Sequence, residues 1–217
     1  MKIVEPYAKL VDFTHEDGIK ALRKIEAIGR VSHRSEDRQT EDSYDRFIRT
    51  VVIGHGDLSI VEHVSVTVEA EVDRGITHEW VRHRLFSYTQ ESTRFVNYDK
   101  TGRELRFIRP PIVEASTGSW VRAMEVASTH YRGLLAAGYP PQTARSVLPN
   151  ALSSKLIITG NLRSWRHFLI MRTSKETHPQ MKQVTVPLLA EFQAKVPILF
   201  EDIAAESKQS EAMRLLR

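Results

Sequence analysis

The sequence contains no cysteine, which excludes disulfides, thiolate metal sites and every mechanism that begins with a cysteine nucleophile. Long apolar runs are missing too. Stretches such as "LIIT" and "VPILF" fall far short of the roughly 20 residues a helix needs to cross a bilayer, so no membrane partner is expected. The first residues, "MKIVEPYAKL", show neither the apolar core nor the cleavage site of a signal peptide, and a cytoplasmic location follows as the expectation. The nine prolines and ten glycines are scattered, so no Gly/Ser-rich or Pro-rich linker marks a boundary, and no internal repeat is visible. The span 1–217 is therefore read as one domain. Neither G-x-x-x-x-G-K-[ST] nor G-x-G-x-x-G occurs, which removes the support for a Walker loop or a Rossmann turn. There is no G-x-S-x-G elbow. No H-x-x-x-H or H-E-x-x-H occurs, and His78 and His83 are five positions apart and do not share a helical face, so no metal is expected.

What the chain does have is a core's worth of apolar residues, 41% of the total, and a mildly basic balance of +4 with a pI near 9.4. Nucleic-acid binders more often carry clustered Lys/Arg tracts, so a nucleic-acid partner is not expected. Arginine is concentrated instead in "VRHRLFSYTQESTR", Val81 to Arg94. Arg82, His83 and Arg84 stand there as consecutive cations, followed by Ser87, Thr89, Gln90, Ser92 and Thr93, with Arg94 at the end. Guanidinium forks match phosphate geometry, and hydroxyls add neutral donors without repulsion. The plainer alternative is a basic helix C-terminus complementing the macrodipole, followed by a solvated polar loop.

Periodicity predicts a helix over "FTHEDGIKALRKIEAIGR", with Leu22, Ile25 and Ile28 on one face and Thr14 or Asp17 as its cap. A second helix is predicted over "EDSYDRFIRTVVIGHG", ended by Gly54. "HVSVTVEAEV" alternates as a half-buried strand, Val64 through Val72 inward and Glu69 and Glu71 outward. A short helix follows over "RGITHEWVRHRL", with Ile76, Trp80 and Leu85 inward and the three cations on its last turn. "ELRFIRPP" reads as a strand stopped by proline. A long helix is predicted over "STGSWVRAMEVASTHYRGLLAAG", then helices over "PPQTARSVL" and "NLRSWRHFLIMR", with "ALSSKLIITG" between them as a strand or buried segment. The tail from Pro179 is read as helical, interrupted at Pro187 and Pro197. The predicted class is α+β, a single domain with helices around a modest antiparallel sheet.

The run "RHRLFSYTQESTR" resembles the R-H-R-x-x-S…S-x-R signature of flavin-dependent thymidylate synthases. "LSIVEHV" upstream, and "ARSVLP", "GNLRSWRHFLIMR" and "THPQ" downstream, resemble other segments of that family in the same order, from about Ser32 to about Gln180. The resemblance implies a homotetramer that converts dUMP to dTMP with FAD as cofactor and with methylenetetrahydrofolate and NADPH as co-substrates. It implies FAD contacts from Arg82, His83, Arg84, Ser59, Glu62, Asn161, Arg163 and His167, with Ser32 at the adenine end. It places Thr89 and Gln90 on the flavin side as well, although the family often has Asn and Glu there. Ser92, Thr93, Arg94, Arg145, Arg172 and Arg82 would hold dUMP, together with Gln90 and Glu79, where the family often has Gln at the latter. Arg172 and Ser92 would stand at the reaction centre, and His178 on the folate side. "HPQMKQV" replaces the commoner H-A-Q-W-E-I.

The residues themselves agree in part. A diphosphate and a monophosphate call for permanent cations, and Arg94 and Arg145 suit a phosphate. Arg172, at a helix end, would meet a uracil carbonyl and stabilise developing enolate charge. Glu62 reads equally as an ion-pair partner holding a guanidinium or as a ligand contact. For His63 and His167 a core or surface role is the plainer reading. Ser92 lacks a base in the sequence to activate it, so with no thiol available the resemblance implies that a reduced flavin supplies the hydride and the folate leaves as tetrahydrofolate. A non-catalytic nucleotide- or RNA-binding protein is the alternative.

Overall fold

The computed structural model describes residues 1–14, 17–100, 102–111 and 118–205. The chain begins with strands β1 (Lys2–Val4) and β2 (Tyr7–Phe13), then helix α1 (Gly18–Val31), which starts where Asp17 accepts a hydrogen bond from the Ile19 amide at 2.9 Å. Helix α2 (Ser43–Phe47) widens directly into a π-helical stretch, Ile48–Gly54, and a 3₁₀ turn covers Leu58–His63. Strand β3 (Ser65–Asp73) hands over to α3 (Arg74–Trp80), because Asp73 turns its carboxylate onto the Ile76 amide as an N-cap. There follow β4 (Ser87–Gln90), β5 (Arg106–Ile108), α4 (Gly118–Ala136) and α5 (Pro141–Ala144). The remaining elements are β6 (Ser153–Asn161), α6 (Leu162–Arg172), α7 (Pro179–Lys195) and α8 (Pro197–Phe200). The class is α+β, as expected, with a small antiparallel sheet of order β2-β3-β6-β4. Strands β1 and β5 form a separate parallel pair in the register Lys2 to Arg106 and Val4 to Ile108.

The fold resolves into two compact units, and each is assembled from three separate stretches. The first comprises Met1–Tyr7, Ala70–Arg82 and Tyr88–Ile157; the second comprises Ala8–Glu69, His83–Ser87 and the chain from Ile158. In the first, Leu105, Phe107, Met124, Tyr131 and Leu152 form a buried cluster beneath α4. Gly138 ends α4's exit turn at φ 88°, a left-handed value that glycine adopts without a Cβ clash. In the second, Trp165, Phe168, Phe192 and Phe200 interlock, and the Trp165 indole donates to the Val66 carbonyl at 3.0 Å. Phe86 lies edge-on to Trp165 and directly over Gly160, where an added Cβ would sit 2.3 Å from its ring.

Several expectations are corrected. Leu85 is 77% exposed rather than inward: α3 stops at Trp80, so Arg82, His83 and Arg84 lie in the turn beyond it and Phe86 takes the inward place. Of the polar residues after that turn, Ser87 to Gln90 form strand β4 rather than a loop. Glu71, expected on the solvent face, is only 3% exposed because it accepts from Ser153 at 2.6 Å and pairs with Arg106 at 3.1 Å. Pro187 does not interrupt α7; the buried face formed by Val184, Leu188 and Leu189 outweighs the one helical hydrogen bond that proline forfeits. Strands β1 and β2 gave no alternation strong enough to read.

Candidate active site

In the second unit the end of α1 and the loop after it border a cavity of about 930 Å³. Ser32 and Ser59, far apart in sequence, both line it, along with Arg34, Arg38 and His55. The loop is tied to α1 by Arg30, whose guanidinium donates twice to buried Glu26 at 2.7 and 2.8 Å and reaches the Ser35 carbonyl at 3.4 Å. Ser43 donates to the same Glu26 oxygen at 2.6 Å, and Arg34 takes a left-handed φ of 47° to turn the chain. Composition and spacing carried no signal for this Glu26, Arg30 and Ser43 network, since nothing marks a helical Glu as buried.

Elsewhere in the same unit, Glu62 and Arg163 form an exposed ion pair at 2.6 Å, the first of the two readings of Glu62. Asn161 caps α6 by accepting from the Ser164 amide at 2.9 Å, and His178 caps α7 by accepting from the Gln180 amide at 3.3 Å. Arg172, the last residue of α6, donates from Nε to Nε2 of His83 at 2.9 Å. His83 also sits edge-on to Phe168, with ring centroids 4.9 Å apart, and 6.4 Å from the His167 ring. Burial, then the adjacent Arg172 charge, then His167 lower the His83 pKa to about 4. His83 is therefore neutral at pH 7, which corrects its reading as a cation. Half-buried His167 is lowered as well, by burial and by Arg163. Arg84 is exposed.

The first unit holds the other expected residues. Arg145 donates to the hydroxyl of buried Thr93 at 3.1 Å, and both line a cavity of about 220 Å³ with Arg74 and Asn150. Arg74 had not been singled out. Arg94 donates to the Gln142 side-chain oxygen at 3.2 Å and lies over the exposed Phe95 ring. Ser92 accepts from the Arg94 amide at 3.3 Å, and among the described residues neither a histidine nor a carboxylate is hydrogen-bonded to its hydroxyl. Gln90 donates from its amide nitrogen to Thr77 and Ser154, both at 3.1 Å. The Thr77 proton goes to the Arg74 carbonyl at 2.9 Å, so its oxygen needs a donor; an amide supplies one and a carboxylate cannot. Glu79 is half-buried on α3, while Arg82 and Thr89 are exposed. Among the described residues no group of three or more His, Asp or Glu is placed to hold a metal ion.

The family model described as "Thymidylate synthase complementing protein" matches residues 9–198. Flavin-dependent thymidylate synthases of Mycobacteroides abscessus and Corynebacterium efficiens are 33% and 34% identical to the chain, covering 87% and 93% of it and 81% and 86% of their own lengths. The chain belongs to the flavin-dependent thymidylate synthase family. A solved structure of a UMP/dUMP methylase from Streptomyces cacaoi, bound with 5-Br dUMP, superimposes with a TM-score of 0.77 over 93% of this chain and 96% of that one. At 24% identity that likeness speaks for the fold. As a member of this family the chain is an enzyme, and every residue of the Val81 to Arg94 run, with Arg145, Arg172 and His178, falls inside the matched span. No described helix is long and apolar enough to cross a membrane.

Proposed function

We propose that the enzyme methylates dUMP reductively to dTMP, with methylenetetrahydrofolate as carbon donor, NADPH as reductant and FAD as resident cofactor. The observation that carries this reading is the family match over residues 9–198, which spans all the arginines assigned to substrate. The 930 Å³ cavity supports FAD: Ser32 and Ser59 offer hydroxyls, and Arg34 and Arg38 offer charge to its adenine and phosphate portion. Arg84, Glu62, Asn161, Arg163 and His167 would hold the rest, Asn161 with the capping oxygen already committed. When bound, FAD supplies the hydride that turns the transferred methylene into a methyl group.

The chain's own residues do the remainder. Arg94 and Arg145 meet neutral acceptors, so their full charge stays available to the dUMP phosphate. Arg172 directs guanidinium donors at a uracil carbonyl and stabilises the negative charge that develops there. Ser92 holds substrate rather than attacking it, because among the described residues no histidine or carboxylate is hydrogen-bonded to its hydroxyl to take the proton. His178 stands on the folate side. Since NADPH provides the two electrons, the folate leaves as tetrahydrofolate. The enzyme works in the cytoplasm as a homotetramer, without nucleic acid.

Incubating the purified enzyme with dUMP, methylenetetrahydrofolate, NADPH and FAD should yield dTMP and tetrahydrofolate, unaffected by iodoacetamide. Stoichiometric dihydrofolate, or turnover without flavin and NADPH, would overturn the mechanism. A preparation that retains nucleic acid, lacks flavin and makes no dTMP would favour the non-catalytic binder. Light scattering should report four chains per particle; a stable monomer that binds FAD tightly would refute the assembly.

A further inference from the structure

Two helices end in the same hydrogen-bonded turn, and the two turns differ in one residue. After α4 the Gly138 amide donates to the Leu135 carbonyl at 2.9 Å and the Tyr139 amide to the Leu134 carbonyl at 3.1 Å. After α1 the Arg34 amide donates to the Val31 carbonyl and the Ser35 amide to the Arg30 carbonyl, both at 3.2 Å. These paired bonds are those of a Schellman motif, whose central position takes a left-handed backbone and is usually glycine. Gly138 meets that demand at φ 88°. Arg34 takes φ 47°, and among the described residues it is the one non-glycine position with a positive φ. A Cβ makes that conformation costly. The turn holds because Arg30 braces it from within α1: its guanidinium reaches the Ser35 carbonyl at 3.4 Å while anchored on buried Glu26 at 2.7 Å.

A side chain kept where it strains the backbone points to what that side chain does. Arg34 lines the cavity of about 930 Å³ at the end of α1, and so does Arg38. Asp37 and Asp57 line it too, yet among the described residues neither carboxylate is paired with either guanidinium. The cavity therefore presents guanidinium forks to phosphate oxygens and carboxylates to hydroxyl or amino donors. The adenosine diphosphate half of FAD carries both kinds of partner, a diphosphate on one side and a ribose diol and an amino group on the other. FMN has a single phosphate and no adenosine. We propose that Arg34 is a specificity-determining residue for the cofactor: its guanidinium grips the diphosphate and makes the cavity select FAD over FMN. This rests on the reading that the cavity takes FAD. A glycine at this position would relax the turn and leave the diphosphate without the fork.

The test measures the dissociation constants of FAD and FMN from the full-length enzyme by flavin fluorescence, together with the Tm without flavin. Arg34→Gly should melt no lower than wild type, because the strain is gone. It should nevertheless bind FAD about 10- to 100-fold more weakly, the scale of a lost charge-assisted hydrogen bond. Its affinity for FMN should barely change, so the preference for FAD collapses. Arg34→Lys, which keeps the charge but not the planar fork, should recover part of the FAD affinity. If wild type prefers FAD and Arg34→Gly binds it equally well, the proposal is overturned and the cofactor reading stands. Equal losses for FAD and FMN would also overturn it, since they mark a distorted cavity rather than a lost diphosphate contact. So would an Arg34→Lys enzyme no better than Arg34→Gly. A wild-type chain that binds neither flavin would overturn the cofactor reading and the proposal with it.

Discussion

In the second unit Arg163 meets Glu62 and Arg166 meets Asp202, whereas in the first unit Arg94 meets Gln142 and Arg145 meets Thr93. The difference is one of charge rather than of strength. A carboxylate spends the guanidinium's charge inside the protein; an amide or hydroxyl holds the side chain still and leaves the charge for a ligand. The division follows role and not unit. Arg106 in the first unit is paired with buried Glu71, a framework contact. The partner of an arginine thus decides how much of its charge is left for a ligand, which residue type alone does not reveal.

Arg172→Ala should produce the largest effect, a loss of turnover of roughly 10³-fold, the scale of removing one donor from a developing oxyanion. Its flavin absorbance should be unchanged; a variant that lost flavin but kept dUMP affinity would place Arg172 on the wrong side of the comparison. Arg94→Ala and Arg145→Ala come next. Each should raise the KM for dUMP by about 10- to 100-fold, the cost of a charge-assisted hydrogen bond of about 1.5–3 kcal/mol, with a smaller change in kcat. Replacing Gly160 with Ala probes the support behind the motif instead, because the new methyl collides with Phe86. About 1–3 kcal/mol of stability should be lost, seen as a lower Tm; an unchanged Tm would mean that Phe86 can be moved at no cost.

A smaller effect is expected from Gln142→Glu, which gives Arg94 a carboxylate while keeping the side chain's length. The KM for dUMP should rise several-fold, in keeping with an exposed pair worth up to about 1 kcal/mol, and no change would show that Arg94's charge is not what the substrate reads. The smallest effect is a slope. His83 has its folded pKa lowered to about 4 from 6.5, so between those values the unfolded chain binds more protons than the folded one. The stability it contributes is full above pH 6.5 and is lost as pH falls toward 4. The melting temperature of wild type relative to His83→Gln should therefore hold constant above pH 6.5 and fall as pH drops from 6.5 toward 4, and parallel curves across that lower window would refute the shift.

Much of the fold was legible along the chain. The alternation from Val64 to Val72 marked β3, and Asp17 and Gly138 marked where α1 begins and α4 ends. These signals are local, set by side-chain period, capping oxygens and left-handed backbone. Strands β1 and β2 were not legible, because an edge strand paired over a few residues needs little alternation. Leu85 and Glu71 were misplaced for a different reason: apolar character predicts burial on average, but a turn and a buried partner each overrode it. Of the residues expected to bind ligands, Ser32 and Ser59 line one cavity and Arg145 another, while the capping commitment of Asn161 and the hydrogen bonds of Gln90 were not legible.

The linear order of residues was enough to rule out a thiol mechanism and to supply arginines and hydroxyls in a family-specific pattern, since both are matters of which atoms exist. It could not say which arginines keep their charge. That depends on whether a carboxylate, an amide or a hydroxyl lies within about 3 Å of each guanidinium, and partners such as Gln142 for Arg94 or Thr93 for Arg145 arrive from 48 and 52 residues away. Nor could it say that His83 is neutral, because burial and the nearby charge of Arg172, which together hold off its second proton, exist only once the chain has folded.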